Sequence, residues 1–166
     1  MLSILGNQII TTMLRTTCKL AFALSVTALT LIAADPTLGT WKMNVAKSKF
    51  NPGPAPKNVT TTYSQEGDWI VLKSTGEDFD GKKIARENRY KRDGKEYPFD
   101  GPNGRGKITV KKIDDYHSEA VTKLDAGGTN KTRTAISKDG KTRTQTVTGV
   151  NAKGEKVNNT VVFELQ

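Results

Sequence analysis

Hydrophobic and polar positions alternate over short stretches from residue 39 to the end of the chain. In "ITVKKI", Ile108 and Val110 fall on one side of an extended backbone, with Thr109 and Lys111 on the other. In "NNTVVFEL", Val161, Phe163 and Leu165 share a side against Val162 and Glu164. A period of two marks strands with one face on a core. No stretch here sustains a helical period. Glycine punctuates the pattern at positions 67, 81, 94, 127, 128, 140 and 154. Asp-Gly pairs at 80–81, 93–94 and 139–140 are hairpin signals, because glycine takes positive φ without steric cost.

The pattern predicts ten antiparallel strands, at about 39–45, 57–65, 69–76, 82–92, 95–99, 106–112, 117–124, 129–137, 141–149 and 156–165. The "DGPNGRG" loop separates the fifth from the sixth. A meander with mostly tight turns loses its edges by closing, so the expected fold is all-β: a single antiparallel up-and-down β-barrel of about 8–10 strands. A two-sheet sandwich would need longer and more varied connections. The exception to tight turns is "AKSKFNPGPAPK", 46–57, where Pro52, Pro54 and Pro56 stiffen an extended connector. It could cover the open end of a barrel or run along its outside.

The first 34 residues read differently. Arg15 and Lys19 precede the apolar run Leu20–Ile32, and Ala33-Ala34 follow it. That is the order of a secretory signal peptide, and the run is shorter than the roughly 20 residues a membrane span needs. The expected organisation is a signal peptide at 1–34 and a β-barrel domain at 35–166, secreted or periplasmic and not inserted in a membrane after cleavage. The one cysteine, Cys18, leaves with the signal, so the barrel must hold without disulfides in an oxidising compartment. The whole chain carries a formal net charge of +9; without Arg15 and Lys19 the remainder carries +7. That balance permits attraction to an anionic envelope surface, although the cations are scattered.

In "IARENRYKR" the face carrying Ile84 and Tyr90 is the better candidate for the interior. It also carries Arg86, Asn88 and Arg92. An inward arginine is costly unless paired or solvated, so this face implies an internal acid, water or an anionic ligand. Arg86, Asn88, Tyr90 and Arg92 are therefore the candidate ligand-binding residues. In "TRTQTVTG", Thr142, Thr144, Thr146 and Thr148 share one side, either a wet lumen or a solvent face.

Other chemistry is thinly supplied. His117 is a lone histidine beside a turn, and no nucleophile–base pair or metal set assembles from the spacing. Asp78, Asp80, Gly81 and Glu87 match part of a calcium-loop template, but Gly76 stands where its first carboxylate belongs. The cations of 82–95, interleaved with Tyr90 and Tyr97, split between two faces of a strand, which argues against nucleic acid as a partner. The reading is of a monomeric non-enzyme without a cofactor.

The segments "LGTWKMNVAKSKFNPGPAPK", "DGKEYPFDG", "SKDGKTRTQTVTG" and "GEKVNNTVVFE" resemble a group of small exported bacterial, acidobacterial-type, proteins of unknown function. Through Gly39-Thr40-Trp41 on the first strand the chain also resembles the calycin barrels, that is lipocalins and fatty-acid-binding proteins. The resemblance implies that Trp41 is a structural plug at one end of the barrel. It also implies a small amphipathic or anionic ligand in the lumen. The alternative is a basic envelope-associated binding module without an internal ligand.

Overall fold

The computed structural model describes residues 35–166. The segment read as a signal peptide lies outside the described residues. Ten strands form one antiparallel sheet: β1 (Gly39–Met43), β2 (Asn58–Glu66), β3 (Trp69–Glu77), β4 (Lys83–Tyr90), β5 (Asp93–Gly101), β6 (Gly104–Lys112), β7 (His117–Leu124), β8 (Thr129–Ile136), β9 (Thr142–Val150) and β10 (Lys156–Leu165). Their order is β4-β3-β2-β1-β10-β9-β8-β7-β6-β5. The first and last strands pair, Met43 opposite Phe163. The sheet's two edges, β4 and β5, are consecutive in the chain, so the nearly closed barrel has its seam between them.

One face of every strand points inward. Trp41, Met43, Tyr63, Ile70, Leu72, Tyr90, Ile108, Val110, Ile136, Val161 and Phe163 form one buried cluster. Trp41 is fully buried, and its indole Nε1 donates to the carbonyl of Thr37 at 3.0 Å. The residues just before β1 thereby fold under the end of the barrel where Asp35 and Gln166 lie. Toward the other end the inward positions mix the buried apolar Leu124 and Val157 with small and polar residues. Ser74, Gly76, Thr122, Thr132, Gly149 and Asn159 are only partly buried there. Gly76 and Gly149 have φ of 146° and 150°, and a Cβ on either would lie within 2.2 Å of a backbone oxygen on the neighbouring strand. Only glycine allows the sheet to coil so tightly at these points.

Two local expectations change. The turn between β4 and β5 is Lys91-Arg92, not Asp93-Gly94; Gly94, with φ 78°, sits in a bulge within β5, where the register shifts between Asp93 and Glu96. A bulge also uses positive φ, so an Asp-Gly pair does not distinguish the two. The "DGPNGRG" loop contracts to a tight turn, because Gly101 and Gly104 pair directly. The proline-rich connector runs along the barrel rather than across its mouth. Lys49 and Thr160 exchange backbone hydrogen bonds of 2.7 and 2.8 Å, Phe50 packs on the core, and Pro52 and Pro54 are exposed.

Candidate functional site

On β9 the threonines 142, 144, 146 and 148 lie on the outer wall, and the same alternation sends Arg143, Gln145 and Val147 inward. Arg143 stands opposite Phe163 on β10 and Ile136 on β8, both buried. It is itself 3% exposed. Its Nη2 donates to the Tyr63 hydroxyl oxygen at 2.5 Å. Its guanidinium carbon lies 4.1 Å from the centre of the Tyr63 ring and 5.6 Å from that of Phe163. Among the described residues no carboxylate joins this group, and Nε and Nη1 have no hydrogen-bond partner. Those two nitrogens carry three of the five N–H donors of a guanidinium. Cation–π contact offsets roughly 2 kcal/mol of the burial. An unpaired buried charge costs several kcal/mol, so the site remains electrically uncompensated.

The surroundings add to this surplus. Tyr90 is buried, and burial holds its phenol well above the ordinary value; the Tyr63 hydroxyl raises it further, while Arg143 and Arg92 act in the opposite sense. Arg92 ion-pairs with Asp35 at 2.5 Å, the side chains 14% and 18% exposed. Burial pulls the Asp35 carboxyl upward. Hydrogen bonds from the Thr37 backbone N–H and hydroxyl, together with Arg92, outweigh it and hold the group below its usual value. The Asp35 end of the barrel thus gathers two guanidiniums against one carboxylate among the described residues, with two phenols between them.

The four residues expected to bind ligand are not brought to one point. Arg86 faces inward in register with Ser74 and is 26% exposed; its Nε lies 3.6 Å from Asp100 Oδ1, across the seam. Asp100, whose side chain is 44% exposed at the seam, is its balancing charge rather than an acid inside the lumen. Asn88 is buried, and its amide is committed to the Asp100 backbone, accepting from N–H at 2.7 Å and donating to C=O at 3.0 Å. Tyr90 joins the Arg143 neighbourhood. Arg92 lies beyond the end of β4, so strand alternation does not orient it. Arg143 and Tyr63 were not singled out from the sequence, although an outward threonine row implies an inward Arg143.

Two of the clefts on the described residues open to solvent. One, about 480 Å³, follows the β4–β5 seam and is lined by Asn88, Arg89, Phe99, Asp100, Arg105 and Asp125 among others. The other, about 400 Å³, lies along β7–β9 against Ile113, His117, Ala135 and Thr144. His117 Nδ1 there lies 2.9 Å from Asp114. The acidic turn after β3 is organised by its own backbone: Asp78 Oδ1 accepts from the N–H groups of Asp80 and Lys82.

No family model matches the chain, and no curated protein matches it in sequence. Among solved structures it is similar to the Schistosoma mansoni fatty acid binding protein in complex with arachidonic acid. The identity is 15%, the TM-score 0.56, and the match covers 79% of this chain and 96% of that one. It is also similar to the zebrafish ileal bile acid-binding protein complexed with cholic acid, at 16% identity, TM-score 0.53 and coverage of 79% and 99%. At such identities the likeness concerns the fold alone: the chain shares the antiparallel barrel fold of these two proteins.

Proposed function

We propose that the protein is an exported carrier or sensor of a small amphipathic anion, held in the barrel lumen with its charged end on Arg143. The observation that carries this reading is a buried inward guanidinium whose Nε and Nη1 lack partners. A carboxylate would satisfy those donors and cancel the surplus charge. The fold supports the reading, since structures of its two neighbours contain arachidonic acid and cholic acid, both amphipathic carboxylic acids. Export rests on the order of charged, apolar and small residues before Asp35. The likeness to small exported bacterial proteins belongs to the same proposal.

The test is direct titration with hexadecanoate, followed by native mass spectrometry of protein purified from its own source. Binding of hexadecanoate, weakened at least tenfold (about 1.4 kcal/mol) in an Arg143→Gln variant, is the expected result. A protein that binds no amphipathic acid and carries no co-purifying molecule would overturn the proposal. A basic envelope-binding module is less well served by the outer wall. Lys73, Arg89, Lys107, Lys123, Lys131 and Arg133 each face a carboxylate, which breaks up the field a polyanion would meet.

A further inference from the structure

We propose that the lumen selects an anion whose body carries hydroxyl or amide groups, in preference to one with a plain alkyl chain. This rests on the reading that an anion occupies the lumen at Arg143, and it adds the chemistry of the rest of that molecule.

The inward positions divide by composition. Around Trp41 they are aromatic and aliphatic. Along the remainder they include Ser74, Thr122, Asn130, Thr132, Gln145 and Asn159, from five different strands. An alkyl chain drawn past these groups would strip water from each and return no hydrogen bond.

Two of the inward residues make the requirement specific. Thr61, in register between Trp41 and Ser74, is 7% exposed, and its Oγ1 has no hydrogen-bond partner. Asn130, between Thr122 and Gly149, is 3% exposed, and its Oδ1 likewise has none. Gly149 packs directly against this residue: a Cβ there would stand 2.8 Å from Asn130 Oδ1. A carbonyl oxygen only accepts, so its complement must be a donor. A hydroxyl or amide N–H on the ligand supplies one, and a methylene does not. A site holding a buried group that only a polar ligand satisfies discriminates more strongly than an apolar pocket does.

Matched acids test this by calorimetric titration of the purified protein: hexadecanoate against 9,10-dihydroxyhexadecanoate, and cholanoate against its trihydroxy derivative cholate. On at least one skeleton the hydroxylated acid should bind about tenfold tighter or more. Thr61→Val and Asn130→Leu should shrink that ratio toward one without weakening the plain acid. Equal affinities within both pairs, with binding still dependent on Arg143, would overturn this inference and leave the anion site standing. Failure of all four acids to bind would remove both. The wild-type ratio is decisive even if a variant fails to fold.

Discussion

The side-chain amide of Asn88 stands in for a missing ladder residue opposite Asp100. It accepts from the Asp100 N–H at 2.7 Å and donates to the Asp100 carbonyl at 3.0 Å, the exchange two paired backbones would make. The sheet's only two edges meet here, so this amide and the Arg86–Asp100 pair tie the seam. Asn88→Ala would leave two partly buried backbone groups without their partner. The expected loss is about 1–3 kcal/mol in urea unfolding, with faster hydrogen exchange at Asp100. Asn88→Asp should cost as much or more, since it sets a second acceptor against the carbonyl. A change within ~0.5 kcal/mol for both variants would show that the seam needs no tie.

Asp35 makes its end of the barrel acid-sensitive. Its folded-state pKa is depressed, so its contribution is fully present above the ordinary carboxylate range, near pH 4. It is lost as pH falls through the lower folded value. Asp35→Asn should therefore lower stability at pH 7 and flatten part of the decline between pH 7 and pH 3. Urea midpoints measured at both pH values decide the matter. An unchanged difference between them in the variant would exclude this ion pair as a contributor.

Much of the barrel was readable because threonine, valine and glycine repeat with a period that leaves few alternatives. Ile108 and Val110 face the core as their alternation predicts, and so do Val161 and Phe163. What escaped is non-local. Arg92 continues the β4 pattern by spacing, yet its partner Asp35 lies 57 residues away and draws it out of that pattern. The bond between Asn88 and Asp100 uses backbone atoms, which no side-chain identity announces. Arg143 was legible in principle. Once Thr142, Thr144, Thr146 and Thr148 are set in solvent, parity alone places Arg143 inside. Its lack of a carboxylate appears only when ten strands are brought round one lumen.

Gly76 offers a test of the tight coiling. A Cβ there would stand 2.2 Å from the Asn58 carbonyl oxygen, and its φ of 146° is rarely adopted by other residues. Neither backbone can yield without breaking the β2–β3 ladder. Gly76→Ala is expected to cost about 2–4 kcal/mol or to prevent folding. Gly67→Ala provides the comparison, because its Cβ would meet nothing within 4 Å although its φ is also positive; a loss of about 1 kcal/mol is expected there. Equal losses at the two sites would mean that φ alone, not the close approach, governs Gly76.

Arg143 should show opposite effects on stability and binding. The guanidinium lies over Tyr63 and Phe163, and among the described residues the charge has no acid to balance it. Methionine preserves much of the volume, packs well against aromatic rings and removes the buried charge. It also leaves the Tyr63 hydroxyl without its present partner, at a cost of about 1 kcal/mol. Arg143→Met is therefore expected to be neutral or to stabilise by up to about 2 kcal/mol. The same variant should lose affinity for hexadecanoate at least tenfold, because the donors for the carboxylate are gone. Thermal unfolding and calorimetry on one sample read both quantities. A variant destabilised by more than about 1 kcal/mol, with unaltered acid binding, would assign the guanidinium a structural role. The predicted pairing, binding lost while stability holds or rises, is what separates a ligand site from a packing residue.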